Sequence, residues 1–202
     1  MKLPTKQECY NLLKKYKAPQ NIIKHLEAVT RVAVAIGKAL QEKGEDVDSD
    51  VLERAGLLHD LVKFIDFDNY DRFSDPEVVD FYEEIKKKYG QHNHVKASAE
   101  LVAEEGYPEL SKVMERHGFM CIDTEEGPKT WEQKILNYAD KRVKHSTIVS
   151  LKDRFEDLHK RYGPQNTPDY DVDLRDDKEK AFFALEEELF SKIDLKPGDL
   201  ND

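Results

Sequence analysis

A chain of 202 residues and 23.5 kDa, 39% hydrophobic and 37% charged, can bury a core and is too apolar for wholesale disorder. Its 42 Asp+Glu against 32 Lys+Arg give a net charge of -10, which argues against a broad nucleic-acid-binding face, so an anionic substrate needs locally supplied positive charge. No apolar stretch nears the roughly 18 residues of a membrane span, the start lacks a signal-peptide core, and Cys9 and Cys121 form no CxxC motif, so a cytoplasmic protein without a membrane partner is expected.

Apolar residues recur at helical spacing and strict period-two alternation is absent, which predicts an all-α fold. Thr5 with Glu8 forms a capping box for a helix to about Tyr16, and Pro19 forces a break before a second helix, Gln20 to Lys43, that Gly44 ends. Asp50 with Glu53 opens a third to about Lys63. Asp75-Pro76 opens a fourth to Tyr89, Asn93 caps a fifth to Gly106, and Pro108 starts a sixth that closes at Gly118. Thr130 with Gln133 caps a long helical region expected to run, with a bend, to Tyr162. Residues 163–176 read as a polar linker. A final amphipathic helix follows, its stripe of Phe182, Leu185, Leu189 and Ile193 docking on the main body or, alternatively, forming a homodimer surface.

Of seven histidines, His25, His59, His94 and His117 fall on apolar helix faces, and Asp60 and Asp140 join them there. A single inward histidine is more often a satisfied core residue than a ligand. Six such groups converging in one small domain, each costing on the order of 1–3 kcal/mol if buried unsatisfied, find a common explanation in a metal centre. Mixed imidazole and carboxylate donors suit Mn, Fe, Co, Ni or Zn better than Mg. Lys63 can steady a phosphate or the Asp140 carboxylate, or stand solvated at a helix end. Arg142 and His145 can reach the same opening or, for either, pair with surface acids. The segment from Phe64 to Asp75, with Phe64, Phe67, Tyr70 and Phe73, is either a pocket wall or an aromatic anchor to the domain.

His25, the His59-Asp60 pair within AGLLHDLVK, and Asp140 within KILNYADK resemble the H…HD…D signature of the HD superfamily of metal-dependent phosphohydrolases, over roughly residues 21–145. With His94, His117 and Lys63, the pattern is similar to the six-ligand subgroup that includes bacterial symmetrical dinucleoside tetraphosphate hydrolases. The resemblance implies an HD-type helical-bundle domain at 1–162, followed by the linker and docked helix of 163–202. It also implies one or two divalent or trivalent ions, one held by His25, His59, Asp60 and Asp140 and the second by Asp60, His94 and His117. A metal-activated hydroxide would attack a phosphate ester or phosphoanhydride, with a nucleotide as the expected substrate. Asp60 and Lys63 are the catalytic candidates, and Lys63, Arg142 and His145 are the candidates for substrate contact. The alternative is a regulatory module that binds a metal or nucleotide without turnover.

Overall fold

Thr5 opens the first helix as its spacing predicts: its hydroxyl accepts from the Glu8 amide, and the Glu8 carboxylate accepts from the Thr5 amide. The computed structural model describes residues 1–166 and 171–201, and helices account for most of them. α1 (Lys6–Lys15) leads through Pro19 into α2 (Gln20–Glu42), which buries Ile22, Leu26, Val29, Ala33, Ile36 and Leu40 along one face. α3 (Ser49–Leu58) packs closely against α2 because Gly56 lacks a side chain. A Cβ there would stand 2.6 Å from Thr30 Oγ1 and 3.0 Å from Thr30 Cα.

The third helix differs from expectation at both ends. Asp48, not Asp50, is its cap, accepting from the Asp50 and Val51 amides at 2.9 and 3.1 Å. The helix stops at Leu58 rather than Lys63. Tight i+3 hydrogen bonds, Leu61 N to Leu58 O and Lys63 N to Asp60 O, replace helical ones, and the Val62 amide donates to Ser98 Oγ. A 3-10 turn, Lys63–Asp66, then carries the chain toward α4 (Pro76–Tyr89), which Asp75 caps.

Asn93 caps α5 (His94–Glu104), and α6 (Pro108–Met114) ends before Gly118. Thr130 and Gln133 build the predicted capping box of α7 (Trp131–Lys141). Instead of one bent helix onward to Tyr162, a two-stranded antiparallel ribbon intervenes, β1 (Val143–Lys144) and β2 (Thr147–Ile148), before α8 (Leu151–Tyr162). β-branched residues at 143, 147, 148 and 149 favour the extended backbone. His145 turns the ribbon at φ 58°, and the Val149 amide donates to the Arg142 carbonyl at 2.8 Å.

α9 (Val172–Phe190) begins inside the expected linker, because the Asp171 carboxylate caps it through the Leu174 amide; residues 167–170 of that linker lie outside the described residues. Phe182, Leu185 and Leu189 are buried, with Phe119 stacked on Phe182 at 5.5 Å. Tyr138 donates to Glu186 and Lys134 to Glu188, tying α9 to α7. No helix among the described residues is long and apolar enough to cross a membrane.

Candidate metal centre

His25 projects from α2, His59 from the end of α3, His94 from the first turn of α5, His117 from the turn after α6, and Asp140 from the last turn of α7. The Gly56 contact sets the spacing of the first two. Departure from helix after Leu58 then lets Asp60 lie among all four rings, and its carboxylate is divided between them. Oδ2 faces His25 Nε2 at 4.0 Å and His59 Nε2 at 3.9 Å, while Oδ1 faces His94 Nε2 at 3.1 Å and His117 Nε2 at 3.3 Å. Asp140 Oδ1 completes the first set, 3.0 Å from His25 Nε2 and 3.7 Å from His59 Nε2. Two groups of potential ligands therefore share Asp60, His25/His59/Asp60/Asp140 and Asp60/His94/His117, with the donor atoms of each within 4.8 Å of one another.

Three rings are oriented by main-chain carbonyls. His25 Nδ1 lies 3.0 Å from His145 O, His59 Nδ1 2.9 Å from Gly56 O, and His117 Nδ1 2.6 Å from Met114 O. A carbonyl only accepts, so each Nδ1 carries a proton, which leaves Nε2 as the atom whose lone pair a neutral ring presents to the carboxylates. Nε2 of His59 and of His117 and Oδ1 of Asp60 are buried without a hydrogen-bond partner among the described residues. Lone pairs aimed at carboxylate oxygens repel unless a cation lies between them, and this donor set fits a transition-metal ion.

The electrostatics agree. Burial pushes the His117 ring down to about 4, so it is neutral at physiological pH. Burial alone would raise the Asp60 carboxyl, but the Lys63 ammonium first, and then the His94 ring, hold it well below the usual range. Asp140 is likewise lowered against its burial, chiefly by the Lys141 ammonium beside it. Both carboxylates are thus anionic in their buried setting.

Lys63 stands on the 3-10 turn rather than on the His59 helix, its Nζ 3.7 Å from Asp60 Oδ2 and 2.6 Å from His94 Nε2. Arg142 does not reach the centre with its guanidinium. It is fully buried, donating to Pro197 O at 2.9 Å, Asn201 Oδ1 at 2.6 Å, Val149 O and the Tyr138 hydroxyl, so its position two residues beyond Asp140 turns it into the core. His145 is exposed at the tip of the ribbon and meets the site through its main-chain carbonyl. The aromatic segment from Phe64 to Asp75 is an anchor: Phe64 stacks on Tyr82 of α4 at 3.9 Å, and Phe73 meets the same ring edge-on at 5.1 Å.

Three polar residues beside the centre carry no signal in their helical spacing. Lys141 is buried and ion-paired with Asp140 Oδ2. Arg154, largely buried on α8, pairs with Asp157, and burial lowers its guanidinium against the opposing charge of Asp140. Asp66 holds His94. A doubling of charge beside a candidate ligand, as in Asp140-Lys141, is the one local cue that points to any of them.

A helical bundle that gathers four imidazoles and two carboxylates around one point could hold a metal ion there. The HD domain family model matches residues 22–156, and the chain belongs to that family, which is typical of metal-dependent phosphohydrolases. An uncharacterized protein of Methanocaldococcus jannaschii is 26% identical over 156 residues, 71% of this chain and 79% of that protein. A tRNA (cytidine(56)-2'-O)-methyltransferase of Picrophilus torridus is 24% identical over 169 residues, 76% of this chain but only 41% of the methyltransferase. No solved structure matches.

Proposed function

We propose that the chain is a metal-dependent hydrolase of phosphate esters or phosphoanhydrides, with a nucleotide as its substrate. The observation that carries this reading is the division of Asp60, one oxygen toward His25 and His59 and the other toward His94 and His117, with the His59 and His117 Nε2 atoms without a hydrogen-bond partner among the described residues. His25, His59, Asp60 and Asp140 would hold one ion and Asp60, His94 and His117 a second, from among Fe, Mn, Co, Ni and Zn. Such ions supply a water of lowered pKa as nucleophile and draw phosphate oxygens into an otherwise acidic protein.

The chain's own groups would do the rest. Lys63, with 31% of its side chain open to solvent, offers an ammonium at the rim for a phosphate oxygen. Lys141 offsets the Asp140 charge from the buried side, which keeps that carboxylate ionised and aimed at His25 and His59. The main-chain carbonyls on Nδ1 hold three rings in one tautomer, so no reorientation accompanies turnover. The resemblance of His94, His117 and Lys63 to the six-ligand subgroup supports a nucleotide polyphosphate as a member of the test panel.

Phosphate release should therefore be measured on mononucleotides, cyclic nucleotides and dinucleoside polyphosphates with Mn, Co, Ni or Fe, and again after chelation. Turnover of at least one substrate that chelation abolishes is expected. A metal-loaded protein that binds nucleotides but turns over none of them would instead identify a regulatory module.

A further inference from the structure

One imidazole of the centre is oriented differently from the other three. Among the described residues no main-chain carbonyl meets the His94 ring; its Nδ1 faces Asp66 Oδ2, and its backbone amide donates to Asp66 Oδ1 at 3.1 Å. Asp66 ends the 3-10 turn that starts at Lys63, so the segment that leaves the His59-Asp60 pair returns six residues later to grip the start of α5. Both carboxylate oxygens are thereby engaged with one residue, one with its main chain and one with its ring. His94 Nε2, on the far side of the ring, is 3.1 Å from Asp60 Oδ1.

We propose that Asp66 is the positioning residue of the second ion group: it fixes the His94 backbone and ring together and keeps the ring proton on Nδ1, so that Nε2, which Lys63 Nζ also approaches at 2.6 Å, is the lone-pair atom beside Asp60. The inference rests on the two-group reading above. An anionic acceptor on the remote ring nitrogen makes the imidazole a stronger donor than a carbonyl does, and partners of this kind are worth about 10–100-fold in metal affinity. Asp66 keeps 38% of its side chain exposed, so its replacement leaves no buried hole. Among the described residues its hydrogen bonds and ion pair go to His94 and to none of the four residues of the first group. Its removal therefore acts on Asp60/His94/His117 and spares His25/His59/Asp60/Asp140.

The test is equilibrium dialysis of the full chain against Co(II), with ions counted per chain, on wild type, Asp66→Ala, Asp66→Asn and His94→Ala, each checked for helical content by circular dichroism. Asp66→Asn retains an acceptor for the His94 amide and so separates the tautomer role from simple support of α5. Wild type is expected to bind two ions and His94→Ala one. Asp66→Ala and Asp66→Asn should weaken the second ion by about tenfold or more, with the first unchanged within twofold. Two ions bound at wild-type affinity by both Asp66 variants, with His94→Ala losing one, would overturn the role of Asp66 alone. A wild type that binds a single ion, or a His94→Ala protein that still binds two, would remove the two-group reading and this inference with it. Loss of weakening in Asp66→Asn but not in Asp66→Ala would reduce Asp66 to a support for the α5 backbone and equally overturn the proposal.

Discussion

Asp140 and Arg142 are two residues apart on one helix end, and that spacing sends them to opposite sides of α7. Asp140 turns toward the imidazoles, whereas Arg142 turns into the core and joins Tyr138, Glu186, Pro197 and Asn201. Removing one partner from such a buried set leaves several polar groups unsatisfied, so Arg142→Met should destabilise the fold by about 3–5 kcal/mol in urea unfolding while leaving KM unchanged. A loss under about 1 kcal/mol together with a raised KM would restore Arg142 to substrate contact. His145 behaves in the opposite way, because its side chain is exposed and only its carbonyl meets His25. Glycine accepts its φ of 58° without strain, so His145→Gly should keep stability within about 1 kcal/mol and leave metal content unchanged. Metal loss in that variant would mean that the imidazole itself belongs to the site.

At the scale of elements, the contact between α2 and α3 sets the distance between His25 and His59, and Gly56 is what permits it. Gly56→Ala places a methyl group against the Thr30 backbone, which cannot give way as a flexible side chain would. It should cost about 1–3 kcal/mol by thermal unfolding and weaken the first metal by separating the two rings. Unchanged stability and metal affinity would show that the helices separate freely. Elements with local chemistry were legible in the sequence. The capping boxes at Thr5 and Thr130, and the caps at Asp75 and Asn93, form where their spacing places them. Elements decided by distant partners were not: α3 ends early because Val62 finds Ser98 thirty-six residues away, and the ribbon at 143–148 stands where periodicity alone continues a helix. The same division holds in the centre. His25, His59, Asp60, His94, His117 and Asp140 stand out because a polar group on an apolar stripe is visible in one dimension. Asp66 sits in an acidic loop among Asp68 and Asp71, and only the return of the chain to α5 distinguishes it.

For the molecule as a whole, a core that gathers lone pairs and carboxylates is stabilised by whatever cation binds the folded state and not the unfolded one. Chelation should therefore lower the melting temperature, and the chelated protein should be acid-sensitive. His117 titrates near 4 when folded and near 6.5 when unfolded, so the unfolded state binds the extra proton and stability falls as pH drops from 6.5 toward 4. The loss should be about 3 kcal/mol over that window. His94, whose value is raised by Asp60 and Asp66 despite its burial, acts the other way: its contribution is complete below 6.5 and is lost only as pH rises through its folded value. A urea midpoint for chelated protein that stays flat from pH 6.5 to 4 would contradict the neutral, buried state of His117. Asp60 is the one carboxylate that both candidate ion groups share among the described residues. The most direct measurement is the rate of phosphate release from the best nucleotide of the panel by Asp60→Asn, set against wild type at the same metal concentration. The expected result is a fall of several orders of magnitude with helical content retained, on the scale roughly expected when a metal-activated nucleophile is lost. A rate near that of wild type would show that the His59-Asp60 pair is structural, and metal-dependent phosphohydrolysis at this centre would be excluded.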